Sequence, residues 1–467
     1  MGTMRVEHDL LGECSVPRDV YWGIHTSRAV RNFPFEGRRT NRDLIHALVQ
    51  VKKACCLTNM ELGFLGSSVG GAIQTACDDI IEGRLDDQFP ISSLQGGAGT
   101  SVNMNANEVI ANRALEILGK EKGQYEYCHP IEHVNLHQST NDVFPTALKM
   151  AAIAGVRKLS QSAAALQGAL QGKEKEFADI VICGRTELQS ALPVTLGAQF
   201  SSWAEAVARD RWRAFKCEER LRVVNLGGTA VGTGLTAPRS YIFRVVEKLR
   251  GLCGYGLTRG ENLMDQTANA DAFVEVSGIL SAHATDLSKI CADMRQLHFI
   301  GEIRLPHVQA GSSIMPGKVN PVIMEAVMSA AIRVQANHSV IADCASRGSL
   351  QINEFIPLIA ETLLESLELL DTSDRILQEH VEKIEADTEI CKVNVSRATT
   401  TVTALLPFIG YDKAQELVKK YDVHKDGGFV DYLISELGSD IVNEALSPAQ
   451  VMALGFSRRS ILNADRT

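Results

Sequence analysis

Residues 146–170 read TALKMAAIAGVRKLSQSAAALQGAL. Within them Leu148, Ala152, Val156, Leu159, Ala163, Leu166 and Leu170 follow in steps of four and three, the spacing that lines apolar side chains along one face of an α-helix. The same texture returns at Phe273, Val276, Leu280, Leu287, Met294 and Leu297, at Val327, Ala331, Val334 and Ile341, and at Leu363, Leu367, Leu370, Leu377, Val381 and Ile384. Small residues such as Ala163–Ala165 and Ala330–Ala331 crowd these stripes, which lets helices approach closely. The chain is therefore mainly α, with a central bundle of long helices over 141–395. Helices well beyond the usual length of about 11 residues would leave apolar sides bare in a lone chain, and association with further copies is the simplest relief.

Outward from the bundle the texture breaks up. Residues 1–140 mix short helical patterns, such as 43–62, with turn signals at Gly12, Pro17, Gly23, Pro34 and Pro90, a mixed but mostly helical N-terminal domain. Residues 396–467 carry Pro407, Gly410, Gly427, Gly428 and Gly438 and read as a small C-terminal helical domain. The formal charge of -9 offers no basic field for nucleic acid or an anionic membrane, so an anionic ligand would need local positive charge. Eleven cysteines without a CxxC pair argue against a disulfide framework or zinc ribbon and fit a reducing cytoplasm. No secretory leader or membrane span is expected.

Two glycine-rich stretches, QGGAGTS at 95–101 and GGTAVGTG at 227–234, lack the strand, spacing and alternation of a nucleotide loop. His129, His133 and His137 fall at helical spacing, but Pro130 breaks that helix, and capping or structural roles are expected instead of a metal site. Three polar clusters carry more. In NLHQSTND, 135–142, several donors and acceptors precede a helix, where free backbone N–H groups favour a carboxylate; the plain alternative is an N-cap supplied by Asn141, Asp142 or Thr146. Residues 95–105 repeat the theme with Thr100, Ser101, Asn103 and Asn105. In HVQAGSSIMPGKVNPV, 307–322, Ser312 and Lys318 suggest a hydroxyl made acidic by a nearby ammonium, with Asn320 as an oxyanion donor.

GSSIMPGKVNPV resembles the signature loop of the aspartase/fumarase superfamily. EHDLLGECSVPRDVYWGIHT, QGGAGTSVNMNANEV, HPIEHVNLHQSTNDVFPTA, GRTELQSALPVTLG and NLGGTAVGTGL resemble the same superfamily in order and spacing over nearly the whole chain. QGGAGTSVNMN, QSTND and GIHT are similar to its ammonia-lyase branch, whereas Trp22 and Gly317 are fumarase-like. The resemblance implies a three-domain fold whose central helices form the core of a homotetramer, with each active site drawn from three subunits.

It also implies chemistry: reversible conversion of L-aspartate to fumarate and ammonium, without a cofactor, with divalent-cation activation left open. The alternatives are hydration of fumarate to malate, another amino-dicarboxylate as substrate, or an inert scaffold. By the same resemblance Ser312 is the base, as an alkoxide stabilised by loop N–H groups and Lys318. Thr100, Ser139, Thr140 and Ser313 hold the β-carboxylate; Lys318, Asn320 and Thr186 hold the α-carboxylate; Asn141 meets the amino group. Glu187 departs from the family pattern. It stands where His or Gln is usual and where Glu325 is expected nearby; a tolerated Gln-to-Glu change that hydrogen-bonds the ammonium is the plain reading, a pair of carboxylates selecting an amine over a hydroxyl a second, and a different amine substrate a third.

Overall fold

The computed structural model describes residues 3–421 and 427–456, so the last residues of the expected C-terminal domain lie outside the described ones. The four apolar stripes fall on the helices Thr140–Glu176, Asp271–Phe299, Val322–Ser346 and Ile356–Val381. Every stripe residue is 9% exposed or less, including Ile384 just beyond the last helix. A fifth long helix, Leu196–Leu221, was not marked by the stripe reading, because charged residues interrupt its apolar positions through RDRWRAFKCEER.

The chain divides into two compact units. The first takes residues up to Ser160 with Trp212–Ala282 and Ile332–Leu370; the second takes Gln161–Arg211, His283–Ala331 and the chain from Asp371 onward. In the first, Arg42–Glu61 realises the helical pattern at 43–62, capped by Asn41, whose side chain accepts from the N–H groups of Asp43 and Leu44. It packs against Ser67–Ile81 and Arg239–Cys253, and Ser67–Ile81 packs against Thr100–Ile117. A two-residue parallel pair, Val223–Val224 with Thr258–Arg259, flanks the helix Arg239–Cys253. That miniature alternation was not expected around GGTAVGTG.

In the second unit Val181–Thr186 and Gln189–Thr195 form an antiparallel hairpin against which Thr388–Arg397 packs. Its two turn residues, Glu187 and Leu188, have φ of 53° and 62°, the left-handed region that costs a side-chain-bearing residue about 1–2 kcal/mol. Val402, Leu405, Leu417, Phe429, Leu433 and Val442 make a separate small core near the C-terminus.

Three helices of this unit meet at a buried charged cluster. His283 donates through Nδ1 to Asp210 Oδ2 at 3.0 Å and through Nε2 to Asp374 Oδ1 at 3.0 Å. Burial alone would lower the imidazole, but the carboxylates of Asp374 and Asp210 outweigh it and raise it to about 10. All eleven cysteines are free thiols, and burial pushes Cys128 up to about 12, a packing role. Among the described residues, no helix is long and apolar enough to cross a membrane.

Candidate active site

The expected site residues fall into one set in each unit. Thr100, Ser139, Thr140 and Asn141 belong to the first unit; Thr186, Glu187, Ser312, Ser313, Lys318, Asn320 and Glu325 belong to the second.

The first set is built on two helix N-termini. Thr100 opens the helix Thr100–Ile117 behind Gly97, Ala98 and Gly99, three consecutive residues with φ of 84°, 56° and 91°. A Cβ on Gly99 would lie 2.7 Å from the ring of Phe144, so this glycine lets the turn rest on the neighbouring helix. Thr140 opens Thr140–Glu176. Its cap is Ser139, rather than the Asn141, Asp142 or Thr146 considered from sequence: Ser139 Oγ accepts from Asn141 N at 3.2 Å, and Asp142 Oδ1 accepts from Ser139 N at 3.0 Å. Ser139 thus caps N2 while Asp142, at N3, reaches back to the cap's own N–H. Asp142 is wholly buried, and its other oxygen accepts from Gly227 N and Thr229 N. Burial raises its carboxyl to about 6 against those donors. The second glycine-rich stretch thus anchors the NLHQSTND cluster through Asp142.

Side-chain amides and a buried lysine hold the two N-termini together. Asn103 Nδ2 donates to Thr140 Oγ1 at 3.1 Å, and Lys52 Nζ donates to Gln138 Oε1 at 3.1 Å and Asn135 Oδ1 at 3.3 Å. Desolvation brings the Lys52 ammonium down to about 8. Sequence reasoning missed Lys52, although a lysine inside the apolar run ALVQVKKACC is the signal that could have found it. Asn141 Nδ2 donates to Ala230 O at 2.7 Å, which fixes the amide so that Oδ1 remains as an acceptor. Asn141 lines a cavity of about 450 Å³ with Lys149, Asp265, Gln266 and Asp271. The GIHT turn is clamped from beneath: buried Glu108 accepts from Gly23 N, His25 N and Thr26 N and Oγ1.

The second set centres on the loop ahead of Val322–Ser346. Ser312 Oγ accepts from Met315 N at 2.9 Å and Ile314 N at 3.2 Å, so two backbone dipoles converge on its oxygen. The loop is closed at its neck, where Gly311 N donates to Lys318 O at 2.8 Å and Asn320 Nδ2 donates to Gly311 O at 2.8 Å. Asn320 therefore braces the loop with one N–H, leaving the other for a ligand. Ser313 and Lys318 are exposed, as are Thr186 and Glu187 at the hairpin tip. Glu325 pairs with Arg295 at 3.5 Å, and no hydrogen bond or ion pair of the Glu187 side chain is seen among the described residues.

A Cβ on Gly311 would lie 2.7 Å from Lys318 O and 2.8 Å from Asn320 N, both backbone atoms that cannot swing aside. Gly311→Ala should consequently open the neck and lower kcat/KM about 100-fold while leaving the melting temperature within experimental error. Unchanged kinetics would remove the neck from the catalytic apparatus.

The expected histidine triad is structural. His129 caps a short turn by accepting from Ile131 N and Glu132 N, His133 Nδ1 accepts from His129 N, and His137 bonds Asn59.

A family model described as lyase matches residues 12–336. An aspartate ammonia-lyase from Bacillus sp. is 40% identical over 98% of this chain and 99% of its own length. One from Pseudomonas aeruginosa is 44% identical over 90% of each. Among solved structures, a Brucella melitensis protein described as fumarate lyase:delta crystallin bound to cobalt superposes with a TM-score of 0.92 at 42% identity, covering 97% of this chain and all of that one. A class II fumarase from Schistosoma mansoni superposes with a TM-score of 0.89 at 30% identity, over 97% and 100%.

Proposed function

Because the chain belongs to the lyase family that holds the aspartate ammonia-lyases and class II fumarases, we propose that it converts L-aspartate reversibly to fumarate and ammonium. The observation that carries this reading is the pair of N–H groups on Ser312 Oγ. A serine hydroxyl is a poor base unless its anion is stabilised, and two convergent backbone donors supply that stabilisation without adding a competing proton acceptor. Lys318, at the far end of the closed loop, adds its positive charge.

In the proposed reaction Ser312 as alkoxide takes a proton from the carbon beside the β-carboxylate. The electron pair moves into that carboxylate and forms a dianion, held by hydroxyl donors from Thr100, Ser139, Thr140 and Ser313. Lys318, Thr186 and the remaining N–H of Asn320 hold the α-carboxylate. The pair then returns to form the double bond, the C–N bond breaks, and ammonia leaves, the abstracted proton completing ammonium. Asn141 Oδ1, fixed as an acceptor by the bond to Ala230, faces an amine with the polarity an ammonium requires, and Glu187 adds a carboxylate to that side. The reaction as written runs without a cofactor.

The two residue sets meet, in this proposal, between different subunits of a cytoplasmic homotetramer. The exposed apolar Ile332 and Val340 on Val322–Ser346 support such an assembly. Fumarate absorbance tests the substrate: it should appear rapidly from L-aspartate, and L-malate should yield none. Rapid fumarate from malate alone would make the protein a fumarase; activity with neither, but with another amino-dicarboxylate, would point to Glu187 as the selector.

A further inference from the structure

A series of hydrogen bonds in the first unit runs from a buried ammonium to the hydroxyl of Thr140, and each bond fixes the direction of the next. Lys52, on Arg42–Glu61, is wholly buried, and its ammonium can only donate. Its Nζ meets Gln138 Oε1 at 3.1 Å and Asn135 Oδ1 at 3.3 Å. Backbone carbonyls hold the other ends of both amides: Asn135 Nδ2 donates to Gln138 O at 3.2 Å, and Gln138 Nε2 donates to Val134 O at 2.8 Å. Reversing either amide would set donor against donor and acceptor against acceptor. Asn135 Oδ1 is therefore an acceptor, and the atom of buried Asn103 that faces it at 3.3 Å is Nδ2. The second N–H of the same amide goes to Thr140 Oγ1 at 3.1 Å. This orientation holds although Asn103 Oδ1 has no partner among the described residues, because the reverse would place that oxygen against Asn135 Oδ1.

We propose that Asn103 is a positioning residue for the reaction: by occupying a lone pair of Thr140 Oγ1 it compels the Thr140 O–H to donate toward substrate. The role rests on the lyase reading, in which Thr140 holds the β-carboxylate. With Asn103 donating to its oxygen, the Thr140 hydroxyl must send its own proton elsewhere, and no described residue accepts it. Thr140 keeps 8% of its surface exposed, which leaves that proton an outlet. A carboxylate offers only lone pairs, so a hydroxyl already turned to donate needs no reorientation as the second negative charge develops. Lys52 sets the sense of the whole series from its far end, since amides and a hydroxyl alone run equally well in either direction.

Asn103→Asp tests this with almost no change of shape. The introduced carboxylate would accept the Thr140 O–H and turn it from substrate, so kcat should fall about 100-fold, the effect of losing one oxyanion donor. Thr140→Val should lose a similar factor, and the double variant no more than either single one. The ratio of Asn103→Asp to parent kcat should rise toward acid pH, as the introduced carboxyl takes up a proton and donates in place of the amide. Lys52 and Asp142, which also titrate nearby, do so in both proteins and cancel in the ratio. Should Asn103→Asp fail to fold, Asn103→Ala takes its place in the cycle, and its loss should likewise vanish in the Thr140→Val background. Losses that multiply in the double variant, or a ratio flat across pH, overturn the proposal. Neutron diffraction from the perdeuterated full chain reads the same point without turnover. Deuterium on Asn103 Nδ2 aimed at Thr140 Oγ1 is expected, and a Thr140 deuteroxyl pointing back at Asn103 overturns it. A parent that forms no fumarate from L-aspartate would count against the lyase reading and leave this second readout to decide the orientation.

Discussion

Ser312→Ala should lower kcat for fumarate formation by roughly 10²–10⁴-fold, the span a positioned general base contributes, with little change in KM and an unaltered oligomer. Ser312 is assigned to take the proton and contacts neither carboxylate, so its removal touches the transition state far more than the bound ground state. The fold has no stake in the hydroxyl beyond the two N–H groups of Ile314 and Met315, which lie in an exposed loop and can turn to water. Steady-state kinetics and sedimentation on the same preparation check the result. Activity within tenfold of the parent would exclude Ser312 as the base and send the search to another group.

The largest effect on stability is expected far from the chemistry, at His283. Replacing it by leucine leaves Asp210 and Asp374 buried at 2% and 0% exposure without their shared cation. Breaking a buried pair in this way costs about 3–5 kcal/mol, a fall in Tm of roughly 10 °C. Exchanging all three residues, as His283→Leu with Asp210→Val and Asp374→Val, should recover much of the loss, because the uncompensated charges go too. The pH dependence has a definite sign. The folded-state imidazole titrates near 10 against about 6.5 unfolded, so its contribution is complete below about pH 6.5 and disappears as pH climbs through 10. The parent should therefore lose more Tm between those limits than the triple variant. A single variant as stable as the parent, or a triple variant no better than the single, would show that the cluster carries no net stabilisation.

The bundle was legible because a stripe of Leu, Val and Ala at steps of three and four has only one way to be buried. Leu196–Leu221 escaped because its RDRWRAFKCEER stretch carries more charge than apolar periodicity. The two N–H groups on Ser312 Oγ agree with what the family resemblance implies for SSIMPGK, whereas the segment's own spacing offers only a hydroxyl, a turn and an ammonium close together. The service of Asn320 as a brace could not be anticipated, because an amide beside Pro321 looks the same whether it faces a ligand or Gly311 O. Lys52 and His283 depend on partners more than 70 residues away in the chain, and local pattern carries no trace of such pairings.

The hairpin tip at Glu187 and Leu188 holds a last consequence. An engineer seeking a more heat-resistant protein would start there, since Asn-Gly suits two left-handed residues in a tight turn far better. That exchange would relieve strain and, in the same stroke, delete the carboxylate assigned to the amine side of the substrate. If Glu187 serves the amine as proposed, heat resistance and substrate choice compete at that position, and screens that select only for survival at high temperature should drift away from the amine substrate.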